Sequence, residues 1–223
     1  MRFLRCVHAE FLLVSPRLTR TRLGISLVAL GTTLVWLSAH ALDALTVTLQ
    51  AGALGAILSA AAIVGDETDR IALTTALAHP TTPLAIATGR WFAIVLPAAT
   101  LAMVCAAATG WRTDVVVAAV IAAAAVGSFA LVLVVALGRG AALALFLFMA
   151  VAGTIAPERL VDLARPGMVR LAAASAMELG PALWHYRDIA TGDLGAIAHA
   201  FAWVGLGILL ASASIGRCRS ALH

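Results

Sequence analysis

The chain has 223 residues, of which 62% are hydrophobic and only 12% are charged, and its formal net charge is +4. Soluble domains carry about 45–50% apolar and about 25% charged residues, so a chain this short cannot bury so much apolar surface in water. The composition excludes a soluble enzyme, a disordered protein and a disulfide scaffold. Long unbroken apolar stretches favour an all-α integral membrane protein over a β-barrel.

The first 16 residues form a separate element. Phe3, Val7 and Phe11 recur every fourth residue, which predicts an amphipathic helix that lies on the membrane surface. The dipeptide at 15–16, Ser-Pro, is expected to end this interfacial helix and to turn the chain toward the first span.

Six apolar runs are long enough to cross a membrane as helices, so the whole chain is predicted to be a single transmembrane domain. The predicted spans are 23–42, 44–65, 91–111, 115–138, 140–157 and 194–216. Ten of the 15 Arg residues fall on one side of this topology and five on the other. The positive-inside rule therefore places both termini in the cytoplasm, at the inner (cell) membrane. The small net charge is accounted for in this way and does not indicate nucleic-acid binding.

The spans are rich in Gly and Ala, and pairs such as Gly52–Ala56 allow close approach of helix backbones. Thr46, Gln50 and Ser59 lie in the second predicted span and are candidates for lining a translocation path. The alternative is that these polar groups simply bond to neighbouring helices.

No catalytic or metal-ligating set is apparent. The three Cys are far apart, the six His are scattered, and no HExxH pattern occurs. A catalytic Ser26–His199 dyad is not expected, because the predicted topology places these two side chains at opposite ends of the bundle. All basic residues are Arg, so the chain also lacks the Lys of a nucleotide-binding P-loop.

The segment between the second and third spans carries the most information. Acidic residues stand where a helix would begin, which suits the positive end of its dipole. This short helix is expected to stop at Pro80, and a second helix is expected to start near Pro83 and to enter the third span through Gly89-Arg90. The candidate coupling residues are Asp66, Glu67, Asp69, Arg70, Thr74, Leu77, Pro80, Gly89 and Arg90.

This loop, 66–83 with its exit at 89–90, resembles that of ABC exporter permeases of the type-2 family. That pattern has two acids, a Leu-rich turn, a Pro, and Gly-Lys or Gly-Arg at the next span; at 71–72 the chain has Ile-Ala where the family usually has Gly-Thr. The resemblance implies an export permease that works as a homodimer, or with a related second permease. It also implies two separate ATPase subunits that bind ATP and Mg, so this chain would hold no cofactor itself.

Three alternatives stay open. The compact length is also similar to the haem exporter permease of cytochrome c maturation. A small secondary transporter or a membrane scaffold, neither of them driven by ATP, is the competing class. An ATPase that co-purifies with the chain discriminates between these classes.

The segment 158–193 is too long for a simple connection between helices, whose loops usually have about 2–8 residues. The resemblance implies an external re-entrant segment that closes the exit. Its candidate gate residues are Leu183, Trp184 and Tyr186. Leu183 and Trp184 are expected to enter the edge of the bilayer, and Trp184 and Tyr186 to mark its outer boundary.

Overall fold

The computed structural model describes residues 2–40, 43–64, 81–151, 153 and 180–220. Within these residues the chain is helical and contains no strand, which confirms the all-α class. The described helices are α1 (Arg2–Arg20), α2 (Arg22–His40), α3 (Ala44–Val64), α4 (Pro83–Ala108), α5 (Thr113–Leu137), α6 (Arg139–Val151), α7 (Leu183–Tyr186), a 3-10 helix (Arg187–Thr191) and α8 (Leu194–Ser220).

Four of the described helices, α3, α4, α5 and α8, are long and apolar enough to cross a membrane. In the described residues, α2 and α6 offer shorter apolar stretches, Arg22–Leu37 and Arg139–Val151. Large apolar side chains remain exposed on the outside of the bundle, including Leu137, Val151 and Leu194. The chain is therefore a multi-pass membrane protein.

Helix α3 lies at the centre of the bundle and packs most extensively against α4 and α5. Nearly every residue from Thr48 to Val64 is buried. A Cβ at Gly52 would lie 2.9 Å from the carbonyl oxygen of Ala119 and 3.2 Å from Cβ of Ala123. The Gly52–Ala56 pair therefore provides a close helix–helix contact within this chain.

Helix α1 does not end at Pro16, so the predicted boundary was wrong. The helix continues to Arg20, although an interior Pro typically costs about 3 kcal/mol. Val14 before the Pro is fully buried and Leu18 after it packs on the core, so contacts on both sides keep the helix in register. The chain bends instead at Thr21, whose Oγ1 accepts a hydrogen bond from the backbone N–H of Gly24 at 3.1 Å.

Helix α4 begins where the sequence predicted. Thr82 is its N-cap, with an extended backbone and a side-chain oxygen that accepts from the N–H of Ala85 at 3.3 Å. Pro83 occupies the first turn, where its missing N–H has no helical partner to lose. The helix ends at Ala108, three residues before the predicted limit of the span, and turns through Gly110 at φ 98°.

Candidate functional site

An ion pair joins α1 to α4 at one end of the bundle. Arg90 Nε donates to Glu10 Oε1 at 2.9 Å, across 80 residues of sequence. The side chains of Arg90 and Glu10 are only 1% and 11% exposed. The pair is therefore shielded from water, where charge–charge attraction is strongest and an unpaired charge is most costly.

Gly89 allows the two helices to come this close. A Cβ at this position would lie 2.8 Å from Cβ of Glu10 and 2.8 Å from the carbonyl oxygen of Val7. Real Cβ atoms do not approach backbone oxygen at that distance, so any larger residue must push α1 away from α4. The Gly89-Arg90 dipeptide thus supplies both the space and the charge for the α1 contact.

The buried face of α1 shares Val7 with the predicted membrane-facing stripe but continues through Glu10 and Val14. Val7, Glu10 and Val14, at positions i, i+3 and i+7, form the side of α1 that points into the protein. Leu4 and Leu12 remain 70% and 55% exposed. Helix α1 therefore has two apolar surfaces, one for the bundle and one for its surroundings.

The structure describes only part of the predicted coupling loop. Gly89 and Arg90 lie in α4 with the contacts given above. The remaining coupling residues, Asp66, Glu67, Asp69, Arg70, Thr74, Leu77 and Pro80, lie outside the described residues. The two exit residues of this loop, Gly89 and Arg90, belong to α4 and contact α1.

A second ion pair lies at the opposite end of the bundle. Arg187 Nη2 is 2.8 Å from Asp43 Oδ2 and links the start of α3 to the segment before α8. Both side chains are partly exposed, at 41% and 48%. Partial burial raises the pKa of Asp43, but hydrogen bonds from Thr46 and the charge of Arg187 outweigh it and hold the pKa below its ordinary value of 3.8. The contact places Asp43 and Arg187 at the same end of the bundle, in agreement with the predicted spans.

The three predicted gate residues share this end but not the same environment. Leu183 and Tyr186 are fully buried, whereas Trp184 is partly buried. The expectation that Leu183 enters the edge of the bilayer was therefore wrong, because its side chain packs in the core of the bundle. Burial raises the pKa of the Tyr186 phenol. These residues attach the segment before α8 to the bundle.

The predicted path residues all lie on α3. Thr46 donates its hydroxyl to Asp43 at 2.6 Å, so it stabilises the start of the helix. Gln50 is partly buried in the second turn of the helix. Ser59 is fully buried, and among the described residues its Oγ has no hydrogen-bond partner. None of the three lines the large groove described below.

One group of potential metal ligands lies near the gate residues. Single ligand atoms of His185, Asp188 and Asp193 come within 4.8 Å of one another. However, both carboxylate oxygens of Asp193 already accept backbone N–H groups, from Gly195 at 3.0 Å and Ala196 at 3.2 Å. Asp193 therefore serves as the N-cap of α8. This capping role accounts for the position of its carboxylate without a metal ion.

The sequence reasoning missed Glu10. The predicted apolar stripe of this helix consists of Phe3, Val7 and Phe11 and does not include Glu10. The signal that points to Glu10 is its spacing from Val7 and Val14 on one helical face, together with an opposite charge beside a Gly at 89–90.

Comparisons of the chain with protein-family models and with curated proteins return no match. The fold and the two ends of the bundle define a helical multi-pass membrane protein whose N-terminal helix is fixed to the start of α4 by a buried ion pair.

Proposed function

We propose that the chain is the membrane-spanning permease subunit of an ATP-driven ABC exporter, with ATP hydrolysis performed by two separate ATPase subunits. In this proposal α2 and α6 also cross the membrane, which gives six spans with both termini in the cytoplasm. Helix α1 lies at the inner interface, and the 66–83 loop docks on the ATPase. A second copy, or a related permease, completes the path.

The observation that carries the proposal is the attachment of α1 to the exit of the 66–83 loop. A coupling element must pass a displacement from a soluble partner into the spans. Helix α4 begins at Pro83, directly after the loop, and holds α1 through Gly89 and the Glu10–Arg90 pair. A displacement of the loop would therefore move α1 and α4 together, because separating them would expose a buried charge pair.

Co-expression with candidate ABC ATPase subunits tests the proposal. Glu67→Arg combined with Asp69→Arg should abolish recovery of the complex or its stimulated ATPase activity, while the permease still inserts. Asp114→Arg combined with Asp188→Arg, two acids at the opposite end of the bundle, is the matched control and should retain both. Unchanged complex and activity in the Glu67/Asp69 variant would refute the docking role of this loop, and a permease that never co-purifies with an ATPase would favour a secondary transporter or a scaffold.

Orientation is tested separately. In a background without the native cysteines, Ser175→Cys should react with an impermeant thiol reagent in intact cells. Reaction only after permeabilisation would reverse the proposed orientation.

The outer-gate proposal also needs an accessible probe. Leu183 is buried and cannot report contact with a second copy. Leu194, the first residue of α8, is 77% exposed and lies directly after the 158–193 segment. If this segment closes the exit between two permeases, a disulfide between Leu194→Cys residues should block transport, and a reductant should restore it. Efficient crosslinking without loss of transport would exclude a gate here.

A further inference from the structure

A groove of about 740 Å³ lies between α1, α2 and α4. Phe11 and Leu18 of α1 border one end, Thr32 lies on the α2 wall, and the α4 wall extends from Ala93 to Val104. This volume is within the range of about 300–1,000 Å³ that is usual for small-molecule sites. The groove is open on one side, toward the surroundings of the bundle.

The side chains that line the groove offer no free hydrogen-bond donor to a polar ligand. Its three hydroxyls already donate to carbonyl oxygens of their own helices. The bonds are Ser15 to Phe11 at 2.6 Å, Thr32 to Val28 at 2.9 Å and Thr100 to Leu96 at 2.9 Å. The remaining lining is apolar, so the groove suits a hydrocarbon chain.

The length of the groove matches one leaflet of a bilayer. From Ala93 to Val104 the wall rises by roughly 16 Å, at about 1.5 Å per residue. Half of a hydrocarbon core that is roughly 30 Å thick is about 15 Å. The groove begins at α1, at the end of the bundle that carries Glu10 and Arg90, and therefore spans the leaflet on that side.

Three Arg residues lie in the chain directly beside the α1 end of the groove. Arg20 and Arg22 are exposed and stand within four residues of Leu18, with the partly buried Arg17 in the same turn. Glu10 is the only acid in the first 42 residues, and it is held by Arg90. The mouth of the groove is thus complementary to an anionic headgroup.

We propose that this groove binds one anionic phospholipid, with an acyl chain along α2 and α4 and the headgroup phosphate at Arg20 and Arg22. The inference depends on the membrane location of the bundle and does not depend on an ATPase partner. Its failure is therefore distinguishable from failure of the exporter proposal.

Native mass spectrometry of the purified full chain, titrated with phosphatidylglycerol or phosphatidylcholine, tests the site. We expect one tightly retained phosphatidylglycerol. Each Arg near an anionic lipid strengthens binding about fivefold, so Arg20→Gln with Arg22→Gln should weaken phosphatidylglycerol binding roughly twentyfold and leave phosphatidylcholine unchanged. Arg112→Gln, an exposed Arg at the other end of the bundle, should have no effect.

Filling the groove provides the second arm. Thr100→Trp on α4, or Thr32→Trp on α2 if the first variant does not fold, should weaken both lipids roughly tenfold, because a Trp side chain takes the volume of the acyl chain. Val117→Trp, at an exposed position of α5 outside the groove, is the control. Equal retention of the two lipids by wild type, or unchanged binding in both groove variants, would overturn the proposal. So would a change of oligomeric state on filling the groove, since that would identify the groove as a contact between copies.

Discussion

Neutralising either partner of the Glu10–Arg90 pair should strongly destabilise the bundle. At 2.9 Å and an effective dielectric constant of about 20, two unit charges attract by roughly 6 kcal/mol, and most of this offsets the loss of hydration on burial. Removing one partner forfeits the attraction and leaves the other charge in the protein, which typically costs about 3–5 kcal/mol. Glu10→Gln keeps an oxygen that can accept from Arg90, so we expect the lower end, about 3 kcal/mol.

The assay is reversible unfolding in mixed micelles, followed by circular dichroism, for Glu10→Gln, Arg90→Gln and the double variant. The double variant should be destabilised by less than the sum of the two single variants, with a coupling energy of about 1–3 kcal/mol. High salt should leave this coupling nearly unchanged, because buried pairs are poorly screened.

The matched control is Arg112→Gln. Arg112 pairs with Asp114 at 2.6 Å, but the two side chains are 69% and 37% exposed. Exposed pairs contribute about 0.2–1 kcal/mol, and salt weakens them. If Glu10→Gln costs no more than Arg112→Gln, or if the effects of the Glu10 and Arg90 changes are simply additive, then the pair does not hold α1 to α4 and the argument from burial fails.

Four further substitutions test the packing and the opposite end of the bundle. Gly89→Ala should cost about 1–3 kcal/mol of stability, because the added Cβ would clash with α1. Its control is Gly205→Ala, where no atom lies within 4 Å of the added Cβ and the change should stabilise α8 by about 0.5–1 kcal/mol. Equal effects of the two changes on unfolding would refute the close contact between Gly89 and α1. Gly207→Ala should also destabilise, since its Cβ would lie 2.7 Å from a side chain of α5, and a neutral result would contradict that approach. Asp43→Asn should cost about 0.2–1 kcal/mol at neutral pH. Because folding lowers the pKa of Asp43, its contribution to stability is present above pH 3.8 and is lost as the pH falls through the lower folded value. The difference in unfolding free energy between Asp43→Asn and wild type should therefore shrink only below pH 3.8. A difference that vanishes well above that pH would exclude the contact with Arg187.

The sequence predicted the helical membrane class and the start of α4 because both follow from local rules. Uninterrupted apolar length determines which segments can cross a bilayer, and Thr82-Pro83 combines an N-cap with a residue suited to the first helical turn. The small-residue pairs also predicted close packing, which Gly52 makes with α5. The identity of the neighbouring helix could not be predicted, since Ala and Gly are frequent in every span.

The sequence-based predictions were wrong where contacts between distant parts of the chain determine the structure. Pro16 breaks an isolated helix, but Val14 and Leu18 find partners in the bundle that keep α1 continuous. Leu183 resembles an interfacial residue by sequence, yet it is buried because the segment before α8 folds back onto the core. Glu10 and Arg90 are 80 residues apart, and local periodicity carries no information about such a pair.

The two ends of the bundle differ in how tightly charges hold them. At the α1 end the ion pair is buried, so separating its partners would leave a charge without compensation at a cost of about 3–5 kcal/mol. At the other end Arg187 and Asp43 are partly exposed, water can replace each partner, and separation costs no more than about 1 kcal/mol. With respect to these ionic contacts, an opening motion therefore costs least if the segment before α8 separates from the start of α3 while α1 and α4 stay together. The proposed exporter would require this asymmetry, because the end that receives the displacement must transmit it and the far end must open in response.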